Sequence, residues 1–139
     1  MISAAFEAFY ERVASQPGIP EVDDIVRRTT GGTAKRENYC IVFPPAIPEL
    51  DDQRFTAPQR PTSRMRHRWD VRPVATSTAG LTLQVDALIA LVGAVLIIPD
   101  RKVDPLRLVT GVEEGRAQYD QANDLRYIDL TFETTSRPL

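Results

Sequence analysis

The sequence predicts an α+β fold: a mainly antiparallel sheet of about four strands, two helices packed on one face, and a long proline-rich arm or loop. Three observations predict it. Apolar residues recur at helical spacing in two places, residues 64–75 and 126–134 alternate with the two-residue period of strands, and the elements follow the order helix, strand, strand, helix, strand, strand. At 139 residues with 42% hydrophobic and 26% charged content, the chain can bury a core as one domain over 1–139 without metal or disulfide staples. There is no internal repeat.

Ile2, Ala5, Phe6, Phe9 and Val13 lie three and four apart on one helical face, with Ser3 available as a cap. Pro17 and Gly18 stop this helix, because proline lacks the backbone donor and glycine takes the left-handed conformation that closes helices. Residues 19–28 fit either a short helix opened by Pro20 or a pair of extended turns, and 29–37 read as loop. Residues 38–43 are rich in β-branched and aromatic side chains and end at Pro44-Pro45, which makes a short strand. Pro44, Pro45, Pro48, Pro58 and Pro61 crowd the next interval. It has no usable periodicity, and loops of this length are typically functional or ordered by a partner. Proline pre-extends such a segment, so an arm carrying Pro48 and Phe55 to a partner is expected here.

Residues 64–75 place Met65, His67, Trp69 and Val71 on one side and Arg64, Arg66, Arg68, Asp70 and Arg72 on the other, a half-buried strand. Pro73 cannot donate to a ladder, so the end of that strand should lie at an edge or bulge. Ser77 or Thr78 can cap a second helix from about 79 to 95, where Leu81, Val85, Leu88, Leu91, Val92 and Val95 fill most of the circumference. A helix apolar nearly all round should be buried on several sides. Its continuous apolar run, 87–98, falls short of the ~20 residues a membrane span requires, so no membrane is expected. Residues 106–112 and 126–134 then read as antiparallel strands joined by a polar loop that carries Glu113 and Glu114. In the second strand Ile128, Leu130 and Phe132 should face in, with Tyr127, Asp129, Thr131 and Glu133 facing out.

A net charge of −2 removes the usual footprint of a protein that grips a nucleic acid backbone. A single cysteine, Cys40, excludes an intrachain disulfide and a cysteine zinc cluster and fits a reducing cytosol. The acidic and aromatic start (Phe6, Glu7, Phe9, Tyr10, Glu11) is unlike a signal peptide, so the chain is expected to begin as mature protein.

Chemistry has little to build on. His67 is the only histidine, and no pattern of nucleophile and base surrounds it, so it reads as a partly buried strand residue. An enzyme using His67 and nearby arginines on an anionic substrate is the remote alternative. Cys40 reads as a small buried apolar residue. Gly31-Gly32-Thr33-Ala34-Lys35 lacks the spacing of a phosphate loop and reads as a flexible turn. The pairs Asp23-Asp24, Asp51-Asp52 and Glu113-Glu114 lack a calcium-loop pattern, so neither a metal nor a cofactor is expected. Arg64, Arg66, Arg68 and Arg72 share one strand face. That stripe is either a solvated sheet face, a subunit or partner contact that pairs with acidic loops, or the lining of a DNA passage. The candidate contact residues are therefore Arg64, Arg66, Arg68, Arg72, Pro48, Phe55, Glu113 and Glu114.

Taken together, the helix Ile2–Ala14 ending at Gln16-Pro17-Gly18, the strand 39–43 running into Pro44-Pro45, and the block from Arg68 onward resemble the tail terminator proteins of siphophages, particularly those of actinobacterial phages and prophages. In that block a strand with Trp69, Asp70 and Val71 leads into the helix with Val85, Leu88 and Leu91, followed by 96–103, 106–112 and 127–132 in the family's order. The resemblance implies a virion structural protein without catalysis, assembled in the host cytoplasm. It implies a homo-oligomeric ring, commonly a hexamer, in the tail-neck region. Such a ring caps the tail tube, stops its polymerisation and meets the head-tail connector or stopper, with DNA only as cargo passing through the lumen. Another neck component, a stopper or tail completion protein, is the alternative of the same class. The second helix carries more apolar surface than four short strands can cover, which a neighbouring copy would complete.

Overall fold

The computed structural model describes residues 2–44, 49–50, 64–109 and 117–139. In chain order the elements are α1 (Ile2–Ala14), β1 (Val22–Asp23), β2 (Tyr39–Val42), β3 (Glu49–Leu50), β4 (Met65–Ala75), α2 (Thr78–Ile89), β5 (Arg101–Val103), β6 (Arg107–Leu108), β7 (Gln118–Asp120), β8 (Leu125–Tyr127) and β9 (Leu130–Pro138).

The expected sheet of about four strands is corrected: the described residues form nine strands in one mixed sheet, still α+β overall. The pairing of β1 with β2 is parallel; the others are antiparallel. Central to the sheet is β4, which pairs β2 and β3 along one side and β8 and β9 along the other, while β5 and β6 add to β9 and β7 adds to β8. β1, β3, β5 and β7, which no expected strand covers, are two or three residues long, and the strand expected over 126–134 divides into β8 and β9. A period of two cannot declare itself in so few residues, and pairing creates them: β3 with β4, β5 with β9, β1 with β2 and β7 with β8. One consequence is that 19–28, left open by its pattern, contributes β1 beside β2. Pro73 is not at an edge: it lies opposite Cys40 of β2. Its missing donor coincides with a gap in the ladder on the other side of β4, between the pairs Val71↔Leu130 and Val74↔Tyr127.

The second helix is shorter than expected. Ser77 caps it by accepting a hydrogen bond from the Gly80 amide at 3.1 Å. It ends at Ile89 because the chain turns through Gly93 at φ +92°, whose amide bonds the Leu106 carbonyl at 2.9 Å. Leu81, Gln84, Ala87 and Leu88 are its buried residues, so it is buried along one stripe, not on several sides. Leu83, Ile89, Val92 and Val95 stay exposed, and Ile97 is 88% exposed.

Both helices contribute to the same core, α1 through Ala5, Phe9 and Val13 and α2 through Leu81, Ala87 and Leu88. Phe9 stacks on Trp69 at 4.6 Å and 6° and meets Phe132 at 5.6 Å, joining α1 to the two longest strands. Tyr39, Ile41, Val74 and Leu125 form a second, smaller cluster. Among the described residues no helix is long and apolar enough to cross a membrane.

Candidate functional site

The alternation of β4 survives in the fold: Met65, His67, Trp69 and Val71 are buried toward the helices, and Arg66, Arg68, Asp70 and Arg72 lie on the opposite, outer face. Register then decides their company. Arg68 stands opposite Glu133 of β9, and Arg107 of β6 stands opposite Glu133 from the other side. The Arg68 Nε donates to Glu133 Oε2 at 2.6 Å, Arg66 Nε lies 3.8 Å from Oε1, and Arg107 also pairs with Oε1. Glu133 is on the outward side as expected, yet its side chain is only 5% exposed, because the arginine stems cover it. A carboxylate with so little water relies on its cations. Glu133→Gln is expected to cost roughly 1–3 kcal/mol, discounted because the arginines themselves are half in solvent; thermal denaturation at neutral pH reads it.

Further along, Arg72 grips Asp129 through two bonds of 2.7 and 3.1 Å and lies over the rings of Tyr127 and Phe43 at 4.5 and 5.5 Å. Thr131 Oγ1 donates to Asp70 Oδ1 at 2.9 Å. Arg66 and Arg68 thus converge on one carboxylate, Arg72 on another, and Arg64 lies exposed at the start of β4. Among the described residues, the acidic partners of Arg66, Arg68 and Arg72 come from β9 and the turn before it. Pro48, Phe55, Glu113 and Glu114, with the rest of the proline-rich arm, lie outside the described residues.

Sequence reasoning missed Arg107, Lys102 and Arg137 on this face. β9 extends to Pro138, so its alternation continues past residue 134 and puts Arg137 on the side of Glu133, opposite Lys102 of β5. Strand-like alternation around Glu133 would have found Arg137; nothing local marks the three-residue β5.

His67 is buried at 3% exposure rather than partly buried. Its Nε2 is 3.1 Å from Ser136 Oγ, which also takes the Arg101 Nε at 2.8 Å, while an Arg101 terminal nitrogen donates to the Ser136 carbonyl at 3.0 Å. Since guanidinium only donates, Ser136 Oγ accepts from Arg101, and its second lone pair and its own hydrogen let it meet either neutral tautomer of His67. Burial, and secondarily the Arg101 charge, push the His67 pKa down to about 4. A serine beside a histidine has the outline of a nucleophile and base, but here both are sealed within the sheet and the base is weak. Cys40 is fully buried and its thiol is pushed up to about 12, as befits a packing residue. The 31–35 segment forms a turn in which the Thr29 amide bonds the Thr33 carbonyl at 2.7 Å. Arg27, pairing with Glu21, Asp23 and Glu37, holds the Asp23 carboxyl below its usual range. Among the described residues no group of three or more His, Cys, Asp or Glu is placed to hold a metal ion.

No family model matches this chain, and no curated protein does. Among solved structures, a chain from the virion of a native gene transfer agent particle superposes with a TM-score of 0.63 at 18% identity, over 96% of this chain and 95% of that one. A second solved chain superposes with a TM-score of 0.57 at 14% identity, over 99% of this chain and 93% of the other. At these identities the likeness is one of fold, and the fold of this chain is one that occurs in a virion.

Proposed function

We propose that this chain is a virion structural subunit, and within that class a tail terminator: a single domain that forms a ring on the finished tail tube, ends its growth and offers a surface to the head-tail connector or stopper. The observation that carries the reading is the end-to-end match to a virion chain, with 96% and 95% of the two chains superposed. The order of elements from Arg68 onward, which resembles siphophage tail terminators, supports the finer role. The work is done by surfaces. A tube protein repeats a head-to-tail contact without limit, and a terminator copies only one side of that contact, so addition stops. Partners under this reading are further copies of the chain in a ring, commonly a hexamer, the major tail tube protein and the connector. DNA passes only as cargo and no bond is made or broken. The exposed Ile97, Val95 and Val92 are apolar surface of the kind such contacts use.

Negative-stain imaging of lysates that lack this protein tests the role. Free heads beside tails of abnormal length are expected; normal-length tails joined to heads would refute it.

A further inference from the structure

Lys102 and Arg137 are direct register partners across β5 and β9, both exposed, on the face that also carries Arg66, Arg68 and Arg107. Neither has an ion-pair partner among the described residues. Like charges directly opposite on paired strands destabilise the pair, so isolated folding does not account for them. The chain is acidic overall, at −2, which makes a concentrated cationic corner more conspicuous.

The opposite side of the sheet carries the complement. There α1 buries Ala5, Phe9 and Val13 and turns Glu7 and Glu11 to solvent. Together with Phe6, Tyr10 and Asp24 these line an open cleft of ≈ 430 Å³. Glu7, Glu11 and Asp24 have no ion-pair partner among the described residues either. Aromatic walls with carboxylates at the rim suit a guanidinium, which stacks on the ring while its hydrogens reach the acids. Tyr10 registers the local field: burial first, then Asp23 and Asp24, raise its pKa.

We propose that the Lys102–Arg137 corner of one copy docks in the Glu7–Glu11–Asp24 cleft of the next, a contact that rests on the reading of the chain as a self-assembling subunit. Because the two surfaces lie on opposite faces of one sheet, a two-fold pair cannot satisfy both contacts at once. The contact therefore runs head to tail, the arrangement a ring of copies requires. Charge complementarity of this kind selects the partner and orientation and weakens with salt.

The test is the mass in solution, by sedimentation across protein concentration and salt, of the wild type, K102E/R137E, E7K/E11K and the fourfold exchange that combines them. Each half-exchange is expected to raise the concentration needed for assembly by roughly tenfold or more. The fourfold exchange should restore assembly, which also shows that its four sites tolerate substitution. Assembly of both half-exchanges at the wild-type midpoint overturns this contact and leaves the self-assembly reading intact. A wild type that stays monomeric throughout overturns both. Retention of a duplex oligonucleotide by the wild type that is lost in K102E/R137E, with the mass unchanged, assigns the basic corner to a phosphate backbone and overturns the proposal as well.

Discussion

Trp69→Ala is expected to destabilise the protein by roughly 3–5 kcal/mol, a large part of the total stability of a domain this size. Trp69 is fully buried in the middle of β4, stacked against Phe9 from α1 on one side and near the His67 ring at 5.7 Å on the other. Phe132, its register partner on β9, also touches Phe9. Alanine removes the apolar area of the indole and leaves a void whose walls belong to three different elements, so none can collapse into it without moving another. Trp69→Phe retains most of the stack and should cost less than half as much. Urea denaturation reads both. Equal losses for the two variants would mean that the stack is not what joins α1 to the sheet.

Lowering the pH from 7 to 4 is expected to remove about 3 kcal/mol through His67 alone. Its pKa is about 4 in the folded chain against 6.5 as a free side chain. In that window the unfolded chain binds a proton that the folded chain refuses, so stability is fully present above pH 6.5 and falls as the pH drops toward 4. The physical cause is the sealed site: a charged imidazolium there would lose its water and would place a second cation beside Arg101. Carboxylates such as Asp23, held low by Arg27, act at still lower pH. A comparison of wild type and His67→Gln across pH 4–7 separates the terms. The variant's stability should be nearly flat where the wild type slopes, and parallel curves would show that His67 does not titrate this way.

How much of this was legible beforehand depends on how many residues carried the pattern. The eleven-residue β4 and the inward set Ile128, Leu130 and Phe132 could be read because alternation repeats often enough to exceed chance. The first helix likewise followed from its apolar face and from Pro17-Gly18. β1, β3, β5 and β7 could not be read, because in two or three residues there is no period to see; the division of 126–134 into β8 and β9 was hidden, and α2 is shorter than its apolar run, which continues past the turn at Gly93. The same contrast holds at the site. Arg66, Arg68 and Arg72 sharing a face is a property of one strand. Burying Glu133 among arginines, and standing Lys102 against Arg137, are properties of register between strands far apart in the chain.

What local order along the chain settled is which side chains of each long element turn to the core, since 3.6- and 2-residue periods are properties of the backbone alone. Which charges meet, which carboxylate loses its water and which cations are left facing outward was decided by strand pairing. A register shift of one residue would turn the same side chains to the other face, so those choices exist only once the sheet has closed.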